Sequence, residues 1–170
     1  MCNVAILGAG IGAQHCEGFA ALPDRFCIHT ICDLDAARGE TLAAQHGAGF
    51  SPDMEQVLAD PQIDIIDICL PPHLHFDVAR RALEAGKHVI CEKPLVPSLA
   101  EVDHLAALEA RSPGRIFPVF QYRYGTGMAQ LSALAAAGLT GRAYTATLET
   151  HWDRGAEYYA VPWRGTWKGE

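Results

Sequence analysis

Residues 4–13 read VAILGAGIGA, a short apolar run that passes directly into a glycine-rich turn. A stretch of helical character, residues 14–22, follows without a break. Strand, glycine turn and helix in this order form the opening unit of a dinucleotide-binding α/β fold. The stretch therefore predicts a dinucleotide site, and the alternative is an ordinary strand-to-helix turn that binds nothing.

The small residues of this turn have separate expected roles. Gly8 lets the chain leave the strand in a tight turn, and Gly10 leaves no Cβ between the backbone and a pyrophosphate. Ala13 allows the helix to pack close to the strand. The free N–H groups of the first helical turn, which includes Ile11 and Gly12, carry the positive end of the helix dipole. The turn can therefore bind phosphates through its backbone alone.

A second apolar run, residues 27–32, ends at Asp33, twenty residues after Ala13. An acid at this spacing is the residue expected on the adenosine ribose. The alternative is that Asp33 caps the helix that follows. A carboxylate here favours NAD over NADP, because it would repel a 2′-phosphate. Arg38, five residues further on, argues weakly in the other direction, since an arginine can accommodate a 2′-phosphate.

Composition and charge limit the possible classes of function. The 170 residues are 49% hydrophobic and 19% charged, which is typical of a folded globular domain. The formal charge of -7 argues against nucleic acid as a partner. No run approaches the roughly 18 apolar residues of a membrane helix, and no basic leader precedes the first strand. We therefore expect a cytoplasmic protein without membrane contact.

Six cysteines and eight histidines are scattered through the sequence. No two cysteines form a C-x-x-C pair, and four of them fall in or beside predicted strands: Cys27, Cys32, Cys69 and Cys91. This pattern favours buried thiols in a reducing compartment. Because no ligand pairs have finger-like spacing, no metal site is expected.

Strands and helices alternate along most of the chain. Predicted strands cover residues 4–7, 27–32, 49–50, 63–70, 87–91 and 115–121. Predicted helices cover residues 14–22, 35–46, 75–85, 99–110 and 128–137. Ser51 is the expected cap of a further short helix, and Ser98 caps the helix at 99–110 with Glu101 in a capping box. The alternation predicts an α/β fold of the Rossmann type, a doubly wound parallel sheet with right-handed crossovers.

The character of the sequence changes near its end. Residues 1–125 are the expected dinucleotide-binding domain, and residues 126–141 form a connecting helix. Residues 143–151 alternate like a half-exposed strand, and all three tryptophans follow it. We expect residues 142–170 to be the incomplete start of a β-rich C-terminal α/β domain. An isolated strand has an open edge, so this segment is also a candidate contact in a homo-oligomer.

Polar groups follow four predicted strands at their carboxyl ends, where ligands bind in open α/β sheets. They are Asp33, residues 70–75, residues 92–94 and residues 121–124. Plainer interpretations exist: His75 could be a helix cap or a packed core histidine, and Lys93 a solvated loop residue. Pro94 restricts the backbone of Lys93 and allows a cis bond, which would fix the direction of its side chain.

The run from Pro71 to Pro97 contains P-x-x-x-H and then AGKHVICEKPL. It resembles the glucose-fructose oxidoreductase / inositol dehydrogenase (Gfo/Idh/MocA) family of NAD(P)-dependent oxidoreductases, and the resemblance covers nearly the whole chain. The resemblance implies that Lys93 is a catalytic residue that contacts the cofactor and the substrate hydroxyl. It also implies that Glu92 contacts the nicotinamide ribose.

The same resemblance implies further contacts around the cofactor. Leu70 and Pro71, with His75, would form the wall beside the nicotinamide ring. Four residues would lie near the substrate: Tyr122, Arg123, Trp163 and Arg164.

Relatives of this type continue into a second half with an Asp-x-Gly-x-His-x-x-Asp motif, which supplies the usual catalytic histidine; this sequence stops at Glu170, before that motif. Two functions are therefore expected alternatives. One is an oxidoreductase that transfers a hydride between the nicotinamide of NAD and a sugar or polyol. The other is a truncated, non-catalytic NAD-binding module. A third alternative is an interaction protein whose aromatic tail docks a partner.

Overall fold

The computed structural model describes residues 1–162 and 164–166 of the chain. These residues divide into two compact units. Of the described residues, the first unit contains 1–119 and 166, and the second contains 120–162, 164 and 165.

Six strands of the first unit form one parallel sheet. Their bounds are β1 Cys2–Leu7, β2 Phe26–Cys32, β3 Gly49–Ser51, β4 Ile65–Ile68, β5 His88–Cys91 and β6 Ile116–Pro118. Their order in the sheet is β3-β2-β1-β4-β5-β6. Strands β1 to β3 follow one another towards one edge of the sheet, and strands β4 to β6 follow one another towards the other edge. The strand order therefore reverses between β1 and β4. The predicted doubly wound Rossmann sheet is confirmed.

Helices cover both faces of this sheet. In the first unit they are α1 Gly12–Ala20, α2 Ala36–His46, α3 Met54–Ala59, α4 His75–Glu84 and α5 Leu99–Glu109. One apolar cluster joins the strands to α4 and α5 through residues such as Ile66, Leu83 and Leu105. The other joins them to α2 through Ile31 and Leu42. Each face of the sheet is therefore covered, as its near-continuous apolar strands require.

The observed helix caps agree with the sequence prediction at one helix and differ from it at another. The predicted capping box at Ser98 and Glu101 is present in both directions. The predicted cap at Ser51 is wrong: Ser51 is the last residue of β3, and Asp53 caps α3 by accepting from the N–H groups of Glu55 and Gln56. The hydroxyl of Ser51 instead accepts a hydrogen bond from the N–H of Asp53.

The second unit contains α6 Thr126–Ala136, α7 Ala156–Tyr159 and a single 3-10 turn, Gln121–Tyr124. The strand predicted at residues 143–151 is not formed, since residues 141–155 have neither helix nor strand. A β-strand needs a neighbour to satisfy its backbone N–H and C=O groups. Within the described part of this unit no strand is available to pair with it.

The first unit contains all of the chain's cysteines. All six cysteines are free, and four are buried: Cys16, Cys32, Cys69 and Cys91. Over the described ranges, no helix is both long enough and apolar enough to cross a bilayer.

Candidate cofactor-binding site

The glycine turn leaves β1 at the point where the strand order reverses. Gly8 has a φ of +100°, and a Cβ at this position would overlap the backbone carbonyl oxygen of Cys69. Its predicted role in the tight turn is therefore confirmed. A Cβ at Gly12 would lie 2.7 Å from Cγ2 of Ile6. The helix therefore lies close to the strand at Gly12, and Ala13, which the sequence predicted for this role, packs against the same apolar cluster.

The backbone of this turn has the features of a phosphate cradle. A Cβ at Gly10 would meet no atom within 4 Å, so the space beside it is open. Among the described residues, the N–H groups of Gly10, Ile11 and Gly12 have no hydrogen-bond partner. No side chain caps α1. Free N–H groups at the start of a nine-residue helix fit the pyrophosphate of a dinucleotide.

Asp33 lies beside this turn, at the end of β2. Its carboxylate accepts hydrogen bonds from the N–H of Ala9 at 2.6 Å and the N–H of Asp35 at 2.8 Å. The alternative that Asp33 caps α2 is wrong, because Asp35 is the capping residue. The guanidinium of Arg38 donates to both carboxylate oxygens of Asp33, at 2.8 and 3.1 Å. Burial acts to raise the pKa of Asp33, but Arg38 and the two N–H groups outweigh it and lower the pKa.

Arg38 reduces the repulsion that the Asp33 carboxylate would exert on a 2′-phosphate, because it neutralises that carboxylate. Arg38→Ala is expected to weaken NADPH binding relative to NADH by about tenfold, which corresponds to about 1.4 kcal/mol. Fluorescence titrations with both nucleotides measure this ratio. Arg80→Ala is the control, since Arg80 pairs with Asp77 on α4. An unchanged ratio in Arg38→Ala would show that Asp33 alone sets the preference.

A hydrogen-bonded chain that the sequence analysis missed crosses the same edge of the sheet. Nδ1 of His15, on α1, lies 2.8 Å from Oδ2 of Asp67, on β4. Nε2 of His15 lies 3.1 Å from Oε1 of Glu92, which follows β5. Asp67 is completely buried and Glu92 is 9% exposed. Because both neighbours of the ring are carboxylates, both ring nitrogens donate, and His15 is an imidazolium.

The titration of this chain follows from its contacts. Burial acts to lower the pKa of His15, but its bonds to Asp67, Cys69 and Glu92 raise the pKa to about 12. Burial raises the pKa of Asp67, against the opposing influence of His15. Burial also acts to raise the pKa of Glu92, but the hydrogen bonds from His15 and from the Lys93 N–H lower it. At neutral pH the folded chain therefore holds a proton that the unfolded chain would release above the usual pKa of histidine.

This held proton predicts a pH dependence of stability. The pKa of His15 is shifted upward, so its contribution to stability is complete below the unfolded pKa of 6.5 and is lost as pH rises towards 12. The upward shift of the Asp67 pKa acts in the same direction, and its loss begins at the lower unfolded pKa of Asp67, 3.8. The free energy of unfolding is expected to fall from neutral pH to about pH 10, with a slope of up to about 1.4 kcal/mol per pH unit. Chemical denaturation of the unsubstituted protein and of His15→Leu/Asp67→Leu measures it. Parallel profiles in the two proteins would contradict the assignment.

His75 joins two further predicted site segments. Its Nδ1 lies 2.8 Å from the carbonyl oxygen of Pro94, and its Nε2 lies 2.8 Å from that of Leu70. The side chain is completely buried, which matches the packed core histidine that the sequence left open. His75 thus holds the backbone of Leu70 and Pro94 in place. Leu70 and Pro71 are themselves partly exposed. Their contact with a nicotinamide ring stays a prediction.

Glu92 and Lys93 follow β5 at this edge. Oε2 of Glu92 accepts from the backbone N–H of Lys93 at 3.1 Å. The side chain of Lys93 is exposed, and the Lys93–Pro94 bond is cis, as the sequence allowed. Gly8, Asp33 and the pair Glu92–Lys93 follow the carboxyl ends of β1, β2 and β5, on the side of the sheet where ligands bind in open α/β folds.

Three of the predicted substrate residues, Tyr122, Arg123 and Arg164, belong to the second unit. Tyr122 and Arg123 lie in the exposed 3-10 turn. The guanidinium of Arg164 stacks over the ring of Tyr158 at 4.2 Å. Trp163 lies outside the described residues. The structure therefore describes three of the four, and their substrate role stays a prediction.

One trio at the site has the spacing of metal ligands. His15, Asp67 and Cys69 each offer an atom within 4.8 Å of the others. The 2.8 Å contact between His15 and Asp67 is accounted for as a charge-assisted hydrogen bond. Burial raises the pKa of the Cys69 thiol to about 12, so this thiol is protonated at neutral pH. That the protein holds no metal stays a prediction.

Comparison with known proteins agrees with this geometry. The sequence model of the Gfo/Idh/MocA oxidoreductase family, with an NAD-binding Rossmann fold, matches residues 2–120. An uncharacterized oxidoreductase of Schizosaccharomyces pombe is 30% identical over an alignment of 173 residues, gaps included. The alignment covers 99% of this chain and 45% of the relative.

Two similar solved structures contain NADH. One is the WlbA dehydrogenase of Bordetella pertussis in complex with NADH and UDP-GlcNAcA, which is 27% identical with a TM-score of 0.92. The match covers 99% of this chain and 49% of the WlbA chain. Another is levoglucosan dehydrogenase in complex with NADH and levoglucosan, which is 29% identical with a TM-score of 0.77. The match covers 83% of this chain and 40% of the levoglucosan dehydrogenase chain. This chain spans about half the length of such relatives or less. With the family match over its whole sheet and the free amides of its glycine turn, it belongs to the NAD-binding Gfo/Idh/MocA oxidoreductase family.

Proposed function

We propose that this chain supplies the NAD site and one catalytic residue of an oxidoreductase that transfers a hydride between nicotinamide and a carbinol carbon of a sugar or polyol. The observation that carries the proposal is the pair Glu92–Lys93 at the end of β5. An exposed ammonium group follows directly on a buried carboxylate, at the sheet edge that carries the phosphate cradle. The chemistry of the nicotinamide is to accept or return the hydride, and the protein supplies position and charge.

Each part of the cofactor has a proposed partner. The N–H groups of residues 10–12 bind the pyrophosphate, and the carboxylate of Asp33 accepts from the adenosine ribose. Glu92 accepts from a hydroxyl of the nicotinamide ribose with the lone pairs that His15 and the Lys93 N–H leave available. Leu70 and Pro71 line the ring. The ammonium group of Lys93 donates a hydrogen bond to the oxygen of the substrate hydroxyl, which orients that hydroxyl for hydride transfer.

The class of substrate is supported by the relatives. Levoglucosan dehydrogenase was solved with levoglucosan, and the Bordetella pertussis dehydrogenase with UDP-GlcNAcA. We propose that residues 142–170 begin the domain that completes the substrate site, after the connecting segment 126–141. Tyr122, Arg123, Trp163 and Arg164 are the proposed substrate contacts. Contact between copies through residues 142–170 also stays a proposal.

A second candidate function is an NAD-binding module without turnover. Both functions require NADH binding, so only turnover distinguishes them.

Lys93→Met tests the proposed role of the lysine. NADH is titrated first, and then the protein is assayed for NADH formation from NAD⁺ with a panel of sugars and polyols. We expect Lys93→Met to retain NADH affinity within about twofold and to lose turnover by about 100-fold or more, since it removes the group that positions the reacting hydroxyl. Retained turnover in Lys93→Met would remove the lysine from the mechanism. NADH binding without turnover in the unsubstituted chain would favour the module.

A further inference from the structure

The bridge between Asp67, His15 and Glu92 joins the two ends of the proposed cofactor site. His15 lies three residues after Gly12, on the helix whose first N–H groups face the pyrophosphate. Its Nε2 donates to Glu92, the proposed contact of the nicotinamide ribose. Its Nδ1 donates to Asp67, in the middle of the central strand β4.

A contribution to folding stability does not by itself explain why the chain has this buried bridge. Asp67 interrupts an apolar run, and its side chain is completely buried. Among the described residues its carboxylate is bonded only by His15 and by the thiol of Cys69. Apolar side chains of similar volume often replace a buried ion pair without loss of stability. A bridge of fixed geometry does, however, set the orientation of the group at its far end.

We propose that His15 is a positioning residue, which bonds Asp67 on one side and fixes the carboxylate of Glu92 for the nicotinamide ribose on the other; this rests on the proposed function. Asp67 orients the imidazole ring, because its two oxygens lie 3.1 and 2.8 Å from Nδ1. The ring then holds Oε1 of Glu92, while the Lys93 N–H holds Oε2. With both oxygens held, the carboxylate has one orientation when the cofactor arrives.

The role predicts a difference between two nucleotides. ADP carries the pyrophosphate and the adenosine ribose but lacks the nicotinamide ribose. Deleting the bridge in His15→Leu is expected to weaken NADH binding by about tenfold, the usual lower range for loss of an orienting partner. ADP affinity is expected to stay within about twofold. A loss caused by general disruption of α1 would weaken both nucleotides equally.

The experiment compares NADH and ADP affinities in matched variants. His15→Leu leaves the carboxylate of Asp67 unpaired, so His15→Leu/Asp67→Leu is included to keep the core neutral and apolar. His29→Leu is the control, because His29 bonds Thr30 and Gln62 and neither carboxylate. Selective loss of NADH affinity in either bridge variant supports the proposal. Equal losses for both nucleotides, or no loss, would overturn it.

Two further measurements keep the outcome distinct from that of the proposed function. Glu92→Gln should lower the NADH affinity relative to ADP; if it does not, the proposed contact of Glu92 is wrong. If Glu92→Gln has this effect and the bridge variants do not, only the role of His15 fails. In the unsubstituted protein, the ¹⁵N resonance of His15 Nε2 should shift with NADH and not with ADP. An equal response to both would also overturn the proposal.

Discussion

Gly10→Val is expected to fold as the unsubstituted protein does and to bind NADH at least about 100-fold more weakly, a loss of about 2.7 kcal/mol. A Cβ at Gly10 meets no protein atom within 4 Å, so the side chain costs the fold little. The same open space is where the pyrophosphate must approach the backbone, and an isopropyl group would fill it. NADH fluorescence titration measures the affinity, and thermal unfolding checks the fold.

Gly18→Val is the matched control for this prediction. Gly18 lies on α1, the helix that follows Gly10, and a Cβ there also meets no atom within 4 Å. Its substitution should therefore leave both stability and NADH affinity nearly unchanged. If Gly10→Val binds NADH as tightly as Gly18→Val does, the pyrophosphate does not lie against this turn.

Gly8→Ala is expected to lose about 3 kcal/mol or more of unfolding free energy. Two costs combine at this position. The φ of +100° is one that L side chains rarely adopt, and the added methyl group would overlap the carbonyl oxygen of Cys69. Because that oxygen belongs to the backbone beside the central strand, it cannot move aside as a flexible side chain would. Urea denaturation measures the loss.

Gly47→Ala separates these two costs. Gly47 ends α2 with a φ of +64°, and a Cβ there meets no atom within 4 Å. Only the backbone conformation is then strained, so the expected loss is about 1 kcal/mol. Equal losses at Gly8 and Gly47 would show that the strand end at Cys69 relaxes easily, and that the turn is not closely fitted to β4.

Local signals in the sequence predicted most of the fold and one end of the site. The turn at Gly8, the acid at Asp33 and the capping box at Ser98 each depend on residues close in sequence. Their conformations are determined by backbone sterics and by short-range hydrogen bonds. The alternation of strands and helices predicted the parallel sheet, since few topologies bury both of its faces.

The bridge through His15 could not be predicted in this way. His15 is separated from Asp67 by 52 positions and from Glu92 by 77. Nothing local distinguishes it from a solvent-facing helix residue. One signal was available: an aspartate inside the most apolar strand run must have a partner when buried. The apolar pattern of that run predicted only a strand at residues 63–70.

Two other errors have the same physical origin. Ser51 and Asp53 are both good helix caps, and pairing of β3 with β2 through Cys32 and Ser51 decides between them. Residues 143–151 have a strand-like pattern, but a pattern supplies no partner for backbone hydrogen bonds. In both cases, a tertiary contact or its absence overrides a sound local preference.

The central claim is that the backbone amides of Gly10, Ile11 and Gly12 bind the pyrophosphate of NAD. Amide ¹H–¹⁵N spectra of the labelled protein, recorded during titration with NADH, test it most directly. We predict saturable shifts of these three amide resonances, reproduced by ADP and absent in Gly10→Val. Saturable NADH binding that leaves all three resonances in place, or no binding to the folded protein, would contradict the account.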